Sequence, residues 1–69
     1  MEGELQSRVG HHLRAYRTER NLSQEDFADH LGLHRTYLGG LERGERNLTL
    51  KSVERLAARL GIDPIELLR

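Results

Sequence analysis

No cysteine occurs in the chain, which rules out disulfides and thiolate-bound metal and leaves the redox compartment unconstrained. Long hydrophobic runs are missing too: apolar stretches end after two or three residues, so nothing in the sequence spans a bilayer as a helix. Residues 1–15 lack the apolar core of a signal peptide, and the expectation is a soluble, cytoplasmic protein. With a single proline and few β-branched residues, the composition points to an all-α fold. Net charge is absent as well. Eleven Lys and Arg balance eleven Asp and Glu, so charge alone does not mark a nucleic-acid binder. The 69 residues make one domain near the lower limit of independent folding, a size that buries only about 60% of the unfolded surface.

The charges that are present are unevenly placed. From His34 to Lys51 stand Arg35, Arg43, Arg46 and Lys51 against Glu42 and Glu45, whereas residues 24–31 carry Glu25, Asp26 and Asp29 with no Lys or Arg. Ten of the eleven basic residues are arginine, which suits phosphate recognition by the guanidinium fork and equally suits a GC-rich genome.

Periodicity divides the chain into five short helices. Residues 1–6 read as a flexible start, with the domain running from 7 to 69. A first helix extends from about Ser7 to Arg20, with Val9, Leu13 and Tyr16 at i, i+4, i+7, and Asn21-Leu22 breaks it. Ser23 caps a second helix that buries Phe27, Ala28 and Leu31 and ends at Gly32. A third runs from about Arg35 to Arg43 and stops at Gly44. Thr49 caps a fourth, whose Val53, Leu56, Ala57 and Leu60 form an apolar stripe closed by Gly61. "DPIE" opens a fifth, with Asp63 as N-cap and Pro64 at the first helical position. Asn21-Leu22-Ser23 and Asn47-Leu48-Thr49 match the glycosylation sequon, but both hydroxyls are placed as helix caps.

The second and third helices, joined by "LGLH", have the spacing of a helix-turn-helix, in which the second of the pair enters the DNA major groove. "SQEDFADHLGLHRTYLGGLERGERN" resembles the lambda-repressor/Cro-like (xenobiotic-response-element) helix-turn-helix family. Ser23-Gln24 opens the second helix, Ala28 stands at the helix crossing, Gly32 lies in the turn and "LERG" closes the third helix. The likeness covers about Val9 to Leu68 and is strongest to restriction–modification controller proteins and other small regulators. It implies a compact five-helix, lambda-repressor-like DNA-binding domain that regulates transcription as a homodimer on a palindromic operator.

Within that frame the residues acquire roles. Arg35 and Thr36, in the first turn of the recognition helix, are the expected base readers: arginine can bond guanine O6 and N7, and threonine can meet a base edge or a thymine methyl. Gln24, His34, Arg43, Arg46 and Asn47 are expected at the DNA backbone, with His34 alternatively the cap of the third helix. The bland alternative for each is a solvated surface residue. The resemblance implies an ion pair between Arg17 and Glu42; the local alternative is Glu42 with Arg46 at i+4. Ile62, Ile65, Leu67 and Leu68 exceed what a short terminal helix needs for docking and are expected to supply a dimer face.

Other chemistry is not expected. His11, His12, His30 and His34 have no cysteine or fixed acidic co-ligand, so neither metal nor cofactor is anticipated. No serine has an evident His–carboxylate partner, so the chain is not read as an enzyme. Two rival functions share this fold: an antitoxin that regulates its own synthesis and binds a toxin, and a protein-interaction adaptor without DNA binding. The adjacent Gly39 and Gly40, each costing a helix about 1 kcal/mol relative to alanine, are expected to face solvent and clear space beside Arg35 and Thr36; the alternative is drift at an exposed position.

Overall fold

The computed structural model describes residues 3–69, and every element among them is helical. In chain order these are α1 (Glu4–Glu19), α2 (Gln24–Leu31), α3 (Arg35–Glu42), α4 (Leu50–Leu60) and α5 (Ile65–Leu68). Helix α1 begins at Glu4, ahead of the expected Ser7, so a flexible start through residue 6 does not describe residues 4–6; Met1 and Glu2 lie outside the described residues. The reason is Gln6, which is buried and donates from Nε2 to the Gly44 carbonyl at 2.6 Å. Its Oε1 is buried with no hydrogen-bond partner among the described residues. At the same end, the hydrogen bond and charge of Arg8 hold the Glu4 carboxyl below its ordinary pKa.

Caps explain the helix starts. Ser23 accepts from the Asp26 N–H at 3.0 Å, Thr49 from the Ser52 N–H at 3.0 Å, and Asp63 Oδ1 from the Ile65 N–H at 2.9 Å. The recognition helix ends in a left-handed closure: Gly44, at φ +72°, donates to the Leu41 carbonyl while Glu45 donates to that of Gly40. At the end of α1 the same geometry falls on Asn21, at φ +55° the one non-glycine residue with positive φ among those described.

The core is built from all five helices. Phe27, Leu13, Leu38, Val9 and Val53 are essentially sealed from solvent, and Tyr16 stacks on Phe27 with ring centroids 5.6 Å apart. Leu67 belongs to this core at 1% exposure, which corrects its expected place on a dimer face. Helix α5 packs against α1 and α4, and its single turn points Leu67 inward, with Ile62 and Leu68 half-buried against the same core. Ile65 alone of the four is well exposed, at 64%. The expectation that these apolar residues exceed the needs of docking therefore fails for Leu67.

The closest approach between helices is at Gly10. A Cβ there would overlap the Leu41 carbonyl oxygen and lie 2.9 Å from that of Glu42, so the backbone of α1 rests directly on the last carbonyls of α3. Gln6, Gly10 and Arg17 lie along one stripe of α1, at i, i+4 and i+11, and all three meet α3 or the turn after it. A side chain at position 10 can only be accommodated by separating the two backbones. Gly10→Ala is therefore expected to destabilise the fold by about 3 kcal/mol, despite alanine's better helix propensity. Urea denaturation checks this, and an unchanged midpoint would place the close approach elsewhere.

Candidate nucleic-acid interface

The recognition helix is held from behind by one buried carboxylate. Arg17 donates to Glu42 through both Nε (2.8 Å) and Nη2 (3.1 Å), while its Nη1 donates to the Leu22 carbonyl at 3.1 Å. The Glu42 side chain is 3% exposed and that of Arg17 15%. This is the fork geometry that arginine alone provides, and it is the pairing across helices, not the local one with Arg46. Gln24 joins the same group, donating from Nε2 to Glu42 Oε1 at 3.1 Å. Glu42 thus ties α1, the start of α2 and the end of α3 to one point. Gln24 serves first as a brace; its second amide N–H is the one left for an outside acceptor.

On the other side of α3 the first turn is open. Arg35 and Thr36 are both exposed. The helix start is fixed by His34, whose Nδ1 accepts from the Thr36 N–H at 3.1 Å; of its two expected roles, His34 fills the cap. Arg35 lies 3.8 Å from Glu25 on α2, an exposed pair of little energetic weight. Arg43 pairs with Glu45 at 3.1 Å, also in the open. Asn47 and Lys51 are exposed.

Gly39 and Gly40 do not face solvent as expected. Both are buried, because longer side chains fold over them. A Cβ at Gly39 would lie 3.2 Å from Arg43 Nη1 and 3.8 Å from the Gln24 amide; one at Gly40 would lie 2.8 Å from Arg46 Nε and 3.0 Å from its Cγ. The guanidinium of Arg46 continues over the Tyr37 ring, 5.4 Å from its centroid. Bare backbone at 39 and 40 is what lets Gln24, Arg43 and Arg46 lie down across α3. The clearance is real, but its occupants are the cations, not empty space beside Arg35. Alanine at 40 must push Arg46 off its stem contacts, which offsets the helix-propensity gain.

The structure therefore brings Gln24, Arg43 and Arg46 together over one face of α3, with Arg35 and Thr36 at its outer end. Sequence reasoning missed Tyr37 and Gly10. Tyr37 is half-buried and carries Arg46; its spacing of four residues from both Leu33 and Leu41 was the available signal. Chemically, the face offers guanidinium and amide donors beside an exposed helix turn, an arrangement suited to phosphates flanking base edges.

Comparison with known proteins agrees with this fold. The helix-turn-helix family model HTH_3 matches residues 13–67, and the chain belongs to that family. It is 47% identical over 60 residues to the control protein C.SmaI of Serratia marcescens, covering 87% of this chain and 71% of that protein. Among solved structures, the restriction–modification controller protein C.AhdI from Aeromonas hydrophila superimposes with a TM-score of 0.75 at 47% identity, over 90% of this chain and 94% of that one. The controller protein C.Esp1396I, solved as a tetramer in complex with its natural 35 base-pair operator, gives a TM-score of 0.76 at 36% identity, over 99% and 100% of the two chains.

Glu42→Gln leaves Arg17 charged, largely buried and without its carboxylate, and is expected to cost about 3 kcal/mol. Replacing both residues at once, Arg17→Met with Glu42→Gln, removes the stranded charge and should recover much of that loss. A double-mutant cycle in urea reads the coupling; independent, additive losses would contradict the clamp.

Proposed function

We propose that this chain is a sequence-specific transcriptional regulator that binds duplex DNA as a homodimer in the cytoplasm, with α3 in the major groove of each half of a palindromic operator. The observation that carries this reading is the braced recognition helix: α3 is anchored by the Arg17–Glu42 fork on its inner side and leaves Arg35 and Thr36 exposed on its outer side. Arg35 reads a guanine and Thr36 a neighbouring base. Gln24, Arg43, Arg46, Asn47 and Lys51 meet phosphates on the two edges of the groove, and the His34 cap keeps the first turn in place near them. The family membership supports operator binding as the activity, as does the operator complex of C.Esp1396I, a relative of matching length.

The recognition geometry supports dimerisation. One α3 reads only half a site, and two related by a two-fold axis read half-sites about 34 Å apart. The domain measures 26 × 23 × 19 Å, so two copies side by side reach that separation when each α3 lies toward the outer half of its domain. Ile65 is the exposed apolar residue of α5, with Ile62 and Leu68 at its margin, and this surface forms the dimer face. Ile65→Glu should produce a folded monomer in sedimentation with much weaker operator binding; a persisting dimer would move the interface elsewhere.

The roles of the two kinds of cation separate in a binding titration against selected and random duplexes. Arg35→Ala should lose discrimination at one base pair per half-site, by about 1–3 kcal/mol, while binding random DNA nearly as before. Arg46→Ala should weaken all duplexes alike. With Arg43, Arg46 and Lys51 covering about six phosphates per dimer, log affinity should fall with log salt at a slope near −5, flattened by roughly 2 in the Arg46 variant. Equal loss on specific and random DNA would remove Arg35 from base reading.

A further inference from the structure

The cations of this net-neutral chain are mostly committed. Arg8, Arg17, Arg35, Arg43 and Arg69 each pair with a glutamate, and Arg20 and Arg46 lie over tyrosine rings. Among the described residues, Arg14, Lys51, Arg55 and Arg59 have no such partner in any ion pair or ring contact. Arg14 stands alone on α1, and Lys51 lies in the first turn of α4 next to the proposed DNA edge. That leaves Arg55 and Arg59, one helical turn apart on α4.

Both line the same groove, of about 570 Å³, between α4 and the α2–α3 turn. Its apolar surface is given by the half-buried Leu33 and Tyr37, backed by the buried Leu48 and Leu56. The Arg59 guanidinium rests at one end, where it would lie 3.2 Å from a Cβ on Gly32 at the C-terminus of α2. Glu54 is the only acidic residue of α4 and does not line the groove. At 100° per residue, Tyr37 and Leu41 lie roughly 160° around α3 from the face shared by Arg35, Thr36 and Arg43. Arg55 and Arg59 sit on α4, off that face, while Tyr37, which carries Arg46, marks the border between the groove and the DNA side.

We propose that this groove docks an acidic amphipathic helix of a protein partner, its leucine or phenylalanine side chains on Leu33, Tyr37 and Leu56 and its carboxylates on Arg55 and Arg59. Charge decides the occupant. Two guanidiniums without a carboxylate partner, beside half-buried Leu33 and Tyr37, favour a segment that is acidic and apolar at once, which is the helix-in-groove mode of recognition. A nucleic acid would satisfy the arginines but leave the apolar surface uncovered. The groove borders the DNA-reading face at Tyr37, and peptide binding is read without DNA, so the two proposals fail separately.

The test uses the full chain and a designed helical peptide of about ten residues, with leucine and phenylalanine on one face and glutamate at i, i+4 on its border. A control peptide carries lysine in place of glutamate. NMR titration should shift Leu33, Tyr37, Leu56 and Arg59 with the acidic peptide and leave them still with the control. Arg55→Glu/Arg59→Glu should weaken the acidic peptide by at least about tenfold and improve the control. Arg55→Gln/Arg59→Gln, which keeps the stems, should show the same direction with a smaller loss. Equal binding of both peptides, or shifts centred on Arg35 and Arg43, would overturn the proposal.

Discussion

The Glu42 carboxylate is the point on which the rest of the molecule depends. It is almost wholly buried, and it accepts hydrogen bonds from Arg17 on α1 and Gln24 on α2 while belonging to α3. A buried charge of this kind is tolerable only with its partners in place. The three helices are therefore fixed relative to one another at the end of α3 remote from Arg35. Gly10 makes the same demand in a different currency, because α1 and α3 touch through backbone there. Together these contacts make the recognition helix part of the scaffold, so that its exposed first turn is presented in one orientation.

A chain without net charge can still bind a polyanion because its charges are sorted by position. The acidic partners of Arg35 and Arg43 are exposed and weakly held, so the proposed phosphate and base contacts would displace Glu25 and Glu45 at little cost. The carboxylate that must not be replaced, Glu42, is the one kept from water. Gly39 and Gly40 serve the same sorting. With no side chains of their own, they let Arg43 and Arg46 lie along α3 rather than stand off from it.

Much of this was legible in the sequence, for identifiable reasons. Helix starts follow from Ser23, Thr49 and Asp63, whose side chains can satisfy only the amides just downstream, and the ends at Gly32, Gly44 and Gly61 follow from left-handed closure. The Arg17–Glu42 pair came from family resemblance, since nothing in local spacing selects it over Arg46. What periodicity could not reveal was contact made without side chains: Gly10 and the covered pair Gly39 and Gly40 register in an apolar pattern as gaps. Polar burial was equally hidden. Gln6 is held by a carbonyl 38 residues away, and His12 Nε2 meets the Arg69 carbonyl at 2.6 Å across a separation of 57. Leu67 was misplaced because a helix of four residues is too short for its pattern to separate inner from outer faces.

Native-state amide hydrogen exchange tests most directly whether the recognition helix is part of the scaffold. If the Glu42 clamp and the Gly10 contact hold α3 to α1, the amides of Leu41 and Glu42 exchange only through global unfolding, with the same opening free energy as those of Leu13 and Tyr16. Exchange of α3 by a separate, lower-energy opening while α1 stays protected would contradict the account, since it would mean that α3 can detach from the scaffold on its own.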